Sequence, residues 1–189
     1  MSALIGAEPA QAHRLIAGRF GEVVAHVRPD AWDAPSPVAE WRARDVVEHL
    51  VTWLPGFLES GAGVVLPPAP SASLDPAAAW TAHSSAVQAL LDDPATPDRV
   101  LRDPHIGEIP LPQAIDRFYT TDVFLHTWDL ARATGQEPRL DPEKCRVIYE
   151  GMLPIEEMLR ASGQFGQAMP APEDADIETR LFAFLGRPV

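Results

Sequence analysis

Cysteine is almost missing from this sequence: Cys145 stands alone among 189 residues. One thiol excludes an internal disulfide and any multi-cysteine zinc site, so metal chemistry would have to rest on histidine and carboxylate. Positive charge is scarce as well. The 15 Lys and Arg against 27 Asp and Glu leave a formal charge of −12, which repels nucleic acid and anionic membrane and sets both aside as partners. No run is apolar for long enough to span a bilayer, and the start, Met1–Gly6, has neither a basic n-region nor a long apolar stretch. A cytoplasmic location is the expectation. No glycine-rich phosphate loop follows a strand, and there is no nucleophile elbow or HExxH pair.

What is present is helical periodicity, in a length that suits one domain, residues 1–189, with a core of its own. A first helix is expected over 8–28, where Ile16, Phe20, Val23 and Val27 are spaced four, three and four apart, with Pro29 ending it. Pro35-Ser36-Pro37 makes 30–38 extended. The second helix runs from about Ala43 to Phe57 with a bend near Pro55, and 61–73 is a loop. Asp75-Pro76 caps a third helix to about Leu91. Between prolines, Arg99–Leu101 and Ile106–Ile109 could form a short hairpin. The fourth helix starts near Leu111-Pro112 and stops at Gly135. Asp141-Pro142-Glu143 opens a fifth, striped by Ile148, Met152, Ile155 and Leu159 and kinked at Pro154, which Gly163–Gly166 breaks. Ile177–Leu185 is a short terminal helix.

The fourth helix carries the chemistry. Asp122 and His126 are one helical turn apart and Asp129 falls on the same side, on a face otherwise made of Ile115, Phe118, Leu125 and Ala133. A carboxylate and an imidazole aimed at a core are costly unless they are paired or hold a cation. In the second helix, Val46, Leu50, Trp53 and Phe57 form an apolar stripe with His49 beside it. Were the two helices packed together, His49, Asp122 and His126 could share a divalent ion with coordination positions left open, as hydrolytic zinc and non-haem iron sites do. Asp129 would then orient a ligand from behind. The residues alone leave a second reading equally open: Asp122 and His126 form a plain helix-face hydrogen bond and His49 is a satisfied core histidine. His83 is a minor candidate for a site wall, its plainer reading being a half-buried histidine bonded to a neighbour; His105 is read as a turn residue, Arg132 as structural, and Cys145 as an inert thiol.

Beyond single residues, Trp32-Asp33-Ala34-Pro35-Ser36-Pro37, the run Glu40 to Leu50, the run Asp122 to Gly135 and the ending from Phe165-Gly166 through Pro170-Ala171-Pro172 to Leu181–Arg187 resemble, in order, the actinobacterial metal-binding branch of the DinB-like superfamily. That branch is related to the N-terminal domain of mycothiol-dependent maleylpyruvate isomerase. The resemblance implies an all-α fold, an antiparallel four-helix bundle, with a metal held by one histidine of helix two and an acidic-x-x-x-His pair of a later helix. Those positions match His49, Asp122 and His126. It implies zinc first, with nickel or iron as alternatives, and mycothiol as thiol cosubstrate. The function expected on these grounds is a thiol transferase or isomerase acting on a small electrophile, as a monomer or homodimer. A non-catalytic metal- or ligand-binding accessory protein of the same fold is the alternative.

Overall fold

The computed structural model describes residues 2–163 and 165–189. Each long helix starts where the backbone loses its need for an external partner. Helix α1, Pro9–Ala25, has proline in its first turn, where the missing N–H would have no intrahelical acceptor. Helix α2, Ala43–Ala62, begins with the Asp45 carboxylate accepting from the Arg42 backbone N–H at 2.8 Å and ends on Gly63 at φ +63°. Pro55 cannot donate to the carbonyl one turn back. The helix nevertheless runs through it for another two turns, since Leu54 and Leu58 on either side are wholly buried. Helix α3, Pro76–Asp92, is capped as expected, the Asp75 carboxylate accepting from Ala78 N–H at 2.9 Å.

The expected hairpin forms, with β1 Val100–Asp103 antiparallel to β2 Gly107–Pro110. Strand β1 lies against the end of α2, so closely that a Cβ on Gly61 would come 2.9 Å from Leu101 Cγ and 3.2 Å from the Arg102 carbonyl. Where a continuous fourth helix was expected there are three pieces: α4, Leu111–Ala114, a π-helical turn, Ile115–Thr120, and α5, Thr121–Ala133. Apolar spacing cannot reveal such a turn, because a π bulge keeps the chain helical and shifts only the phase of the residues beyond it.

By its contacts the chain divides into two units. In Ala7–Pro138, α1 packs on α3 and α5, and α2 packs on the same two helices, which makes the expected DinB-like bundle of four long helical segments. Its core is Ile16 and Phe20 of α1, Val46, Leu50 and Leu54 of α2, Trp80 and Val87 of α3, and Val123 to Ala131 of α5, all buried.

The other unit is Arg139–Val189 with the N-terminal residues up to Gly6. Here α6, Pro142–Met152, packs on α8, Ile177–Phe184, and the Tyr149 and Phe184 rings meet edge to face at 5.6 Å. After a 3₁₀ turn at Pro154 comes α7, Glu156–Ala161, whose Arg160 guanidinium lies 4.7 Å over the Phe184 ring. Of the predicted stripe only Ile148 is buried, beside Cys145. The turn at Pro154 leaves Ile155 on the surface. The break expected at Gly163–Gly166 includes Gln164, which lies outside the described residues. No helix among the described residues is long and apolar enough to cross a membrane.

Candidate metal centre

Three side chains converge between α2 and α5. His49 projects from the middle of α2, Asp122 from the first turn of α5 and His126 from one turn further on. His49 Nε2 lies 2.9 Å from Asp122 Oδ2, and His126 Nε2 lies 3.4 Å from Asp122 Oδ1. One ligand atom from each of the three falls within 4.8 Å of the other two. The two helices pack on each other, and Val46, Val47 and Leu50 of α2 and Val123 and Leu130 of α5 are fully buried, so the backbone that carries the polar side chains is held by the core.

Asp129 is wholly buried, and its Oδ2 sits 2.9 Å from His126 Nδ1. With Asp129 ionised, its carboxylate can only accept, so His126 would donate through Nδ1–H and, as the neutral ring, present its lone pair at Nε2. That lone pair faces the Asp122 oxygen. Two acceptors 3.4 Å apart are stable together only with a positive charge between them, a proton or a cation. The donor set of two imidazoles and one carboxylate therefore suits a borderline divalent ion.

The Trp53 indole N–H donates to Asp122 Oδ2 at 3.1 Å. Burial pushes the Asp122 carboxyl up, but the His126 imidazole, the hydrogen bond and charge of His49 and the Trp53 donor outweigh it, leaving the group below its ordinary value. It is held as a carboxylate, the form a metal needs. The site is not sealed: the His49 and Asp122 side chains remain 31% and 25% exposed.

Trp41 forms one wall, its ring 5.0 Å from that of His49 and stacked 5.6 Å from that of His126. It reaches them from a tight loop ahead of α2. Ser36 N–H donates to the Trp41 carbonyl at 2.8 Å and Ala43 N–H to the Ala34 carbonyl at 2.9 Å. Glu40 next to Trp41 adopts φ +66°, a left-handed conformation uncommon outside glycine. Arg42 and Arg44 both reach the Asp33 carboxylate, at 3.2 and 3.0 Å, which ties the loop to the start of the helix.

The structure thus brings together every residue the sequence singled out at this site and adds two. Trp53 is one turn after His49, so its place on the same face is legible from the period, although the period does not distinguish a hydrogen-bond donor from a packing residue. Trp41 has no such signal, because a loop and not a helical period positions it. Trp128 is buried, with the Arg132 guanidinium 5.3 Å over its ring. His105 is the turn residue expected, its N–H donating to Asp103 Oδ1 at 2.8 Å. His83 departs from its reading: it is 2% exposed, not half-buried, and its Nε2 has no hydrogen-bond partner. Cys145 is fully buried, and burial together with Glu178, Asp141 and Asp176 pushes its thiol up to about 12, which makes it inert.

The profile of a family described as the mycothiol maleylpyruvate isomerase N-terminal domain matches residues 13–131, a span that includes all the site residues named above. Two proteins of Mycobacterium tuberculosis, the uncharacterized proteins MT0763 and Rv0738, are each 33% identical to this chain over 185 residues, covering 96% of it and 99% of their own length. No solved structure matches.

Proposed function

Since the chain belongs to the mycothiol maleylpyruvate isomerase N-terminal domain family, we propose that it binds a divalent metal, zinc before nickel or iron, through His49, Asp122 and His126, and that it works with a low-molecular-weight thiol, mycothiol, as a transferase or isomerase of a small electrophile. The observation that carries this reading is the convergence of His49, Asp122 and His126, with His126 Nε2 3.4 Å from the Asp122 carboxylate and its other nitrogen 2.9 Å from Asp129. A bound ion of this kind favours the thiolate of a thiol at neutral pH, which supplies the nucleophile that buried Cys145 cannot be. Asp129 holds His126 in its metal-accepting tautomer, and the Trp53 donor holds the Asp122 carboxylate in place. Trp41 closes one side of the cluster and so sets the direction from which a small molecule can approach.

Partial exposure of His49 and Asp122 favours this over a purely structural metal, which is normally sealed by a fourth protein ligand. Among the described residues the cluster offers three. The test is metal analysis of purified protein beside a His49→Ala sample, followed by adding thiol to the cobalt-substituted form. Stoichiometric metal lost in the variant, and a cobalt spectrum that changes with thiol, are expected. Equal metal content in both proteins would refute the site, and a spectrum indifferent to thiol would refute the enzyme.

A further inference from the structure

A second polar group lies inside the bundle, on the side of α1 and α3. His13 of α1, His83 of α3 and Tyr119 of the π-helical turn are 1%, 2% and 0% exposed. The Tyr119 ring stacks 6.1 Å from that of His13 and meets that of His83 edge-on at 5.6 Å. Yet His13 Nε2, His83 Nε2 and the Tyr119 hydroxyl have no hydrogen-bond partner, and neither does the Thr120 hydroxyl on the next residue. Buried polar atoms are nearly always satisfied, so several orphans on touching rings need a common explanation.

The network fixes what these atoms offer. Gln88 donates through Nε2 to the Ala10 carbonyl at 3.2 Å and to Asp92 Oδ1 at 3.0 Å, which turns its oxygen toward His13 Nδ1 at 2.8 Å. His13 therefore donates at Nδ1 and is an acceptor at Nε2. The Tyr119 hydroxyl is a donor. Burial pushes the His83 imidazole down to about 4 and the Tyr119 phenol well above its ordinary range, so the group is neutral and suits a neutral ligand.

We propose that His13, His83 and Tyr119 form an internal binding site for water, beside the groove between α1 and α3 that His13 also lines. Water can accept from the phenol, donate to His13 Nε2 and either donate to or accept from His83 Nε2, whichever tautomer that ring holds. The groove is about 290 Å³ and has His13 and Gln88 among its lining residues, with Thr81, Ser84 and Ser85 along one side. Gly21 keeps its floor low, since a Cβ there would come 3.3 Å from Trp80 Nε1. The Tyr119 ring also lies 5.8 Å from that of Trp53, the donor to Asp122, so one ring contact joins this group to the candidate metal centre. This inference is independent of whether the metal binds.

Water-oxygen relaxation dispersion on the purified full-length protein counts long-lived internal waters directly. Wild type is expected to hold at least one more than Tyr119→Phe, and the melting temperature of that variant is expected to drop by about 2–5 °C as a bonded hydroxyl is lost. The nitrogen spectrum of wild-type histidine side chains should show His13 neutral with a hydrogen-bonded Nε2, a readout that needs no variant to fold. An unchanged water count together with an unchanged or raised melting temperature would overturn the proposal, because deleting an unbonded hydroxyl costs nothing. Metal retained by His49→Ala protein but lost on adding His83→Gln would also overturn it, assigning the imidazoles to a cation.

Discussion

Asp129→Asn is the sharpest perturbation of the metal centre, because it alters a residue placed behind the ligands and changes almost no volume. The carboxylate is wholly buried and holds His126 Nδ1 at 2.9 Å. An amide can still accept from Nδ1–H through its oxygen, but it can equally turn and donate to Nδ1. In that orientation the His126 proton moves to Nε2, where the metal lone pair should be. The loss of the negative charge also makes the imidazole less basic. Changes of this type lower metal affinity by roughly 10–100-fold, or about 1.4–2.7 kcal/mol. In a melt at free metal 100 times the dissociation constant, the ion adds about 2.7 kcal/mol to wild-type stability. A 30-fold weakening would cut that to about 0.9 kcal/mol. Melts of the metal-free proteins measure the structural cost of the substitution by itself, since Asn keeps an acceptor for His126 Nδ1–H but gives up the buried charge beside it. Competition titration against a chromophoric chelator, with paired melts, measures both quantities. Wild-type affinity in Asp129→Asn would refute the tautomer argument and leave Asp129 as a packing residue.

Two further expectations rest on particular side chains. For metal-free protein, His83 ionises at about 4 when folded against 6.5 when unfolded, so its contribution to stability is complete above pH 6.5 and is lost as the pH falls from 6.5 toward 4. The loss is roughly 3 kcal/mol, and His13, also lowered by burial, acts in the same direction. Urea denaturation across that range should show it, with a flatter profile in His83→Gln; equal slopes would contradict the assignment. Gly61→Ala should destabilise by about 1–3 kcal/mol, because the new methyl would press on Leu101 and on the Arg102 carbonyl behind it. Chemical denaturation measures this, and a neutral result would mean that β1 can move away from α2.

The part of the site that lies on one helix is legible in the sequence. Asp122, His126 and Asp129 obey the helical period, and the period alone aligns them. The contact of His49 with Asp122 is not, since it depends on how α2 lies on α5. Trp41 depends on a loop held by Asp33 and a left-handed Glu40, which no periodicity encodes. One helix boundary differs beyond a proline: α2, expected to end near Phe57, runs on to Ala62, with Leu58 buried past Pro55. The burial of His83 is hidden for another reason, because an isolated histidine on an apolar stripe gives no sign of whether its second nitrogen finds a partner.

The π-helical turn ahead of α5 amounts to a built-in slip of the screw thread. The three acidic and imidazole groups beyond it ride on one rigid α-helical block, so their mutual spacing does not depend on the slip, whereas their bearing toward His49 does. Straightening Ile115–Thr120 into regular α-helix with its residue count unchanged would swing that block by about 100°. The Asp-x-x-x-His pair would survive intact in the sequence and point away from its partner. A relative that keeps the motif and the residue count but not the turn would then carry the signature of the site without the site itself.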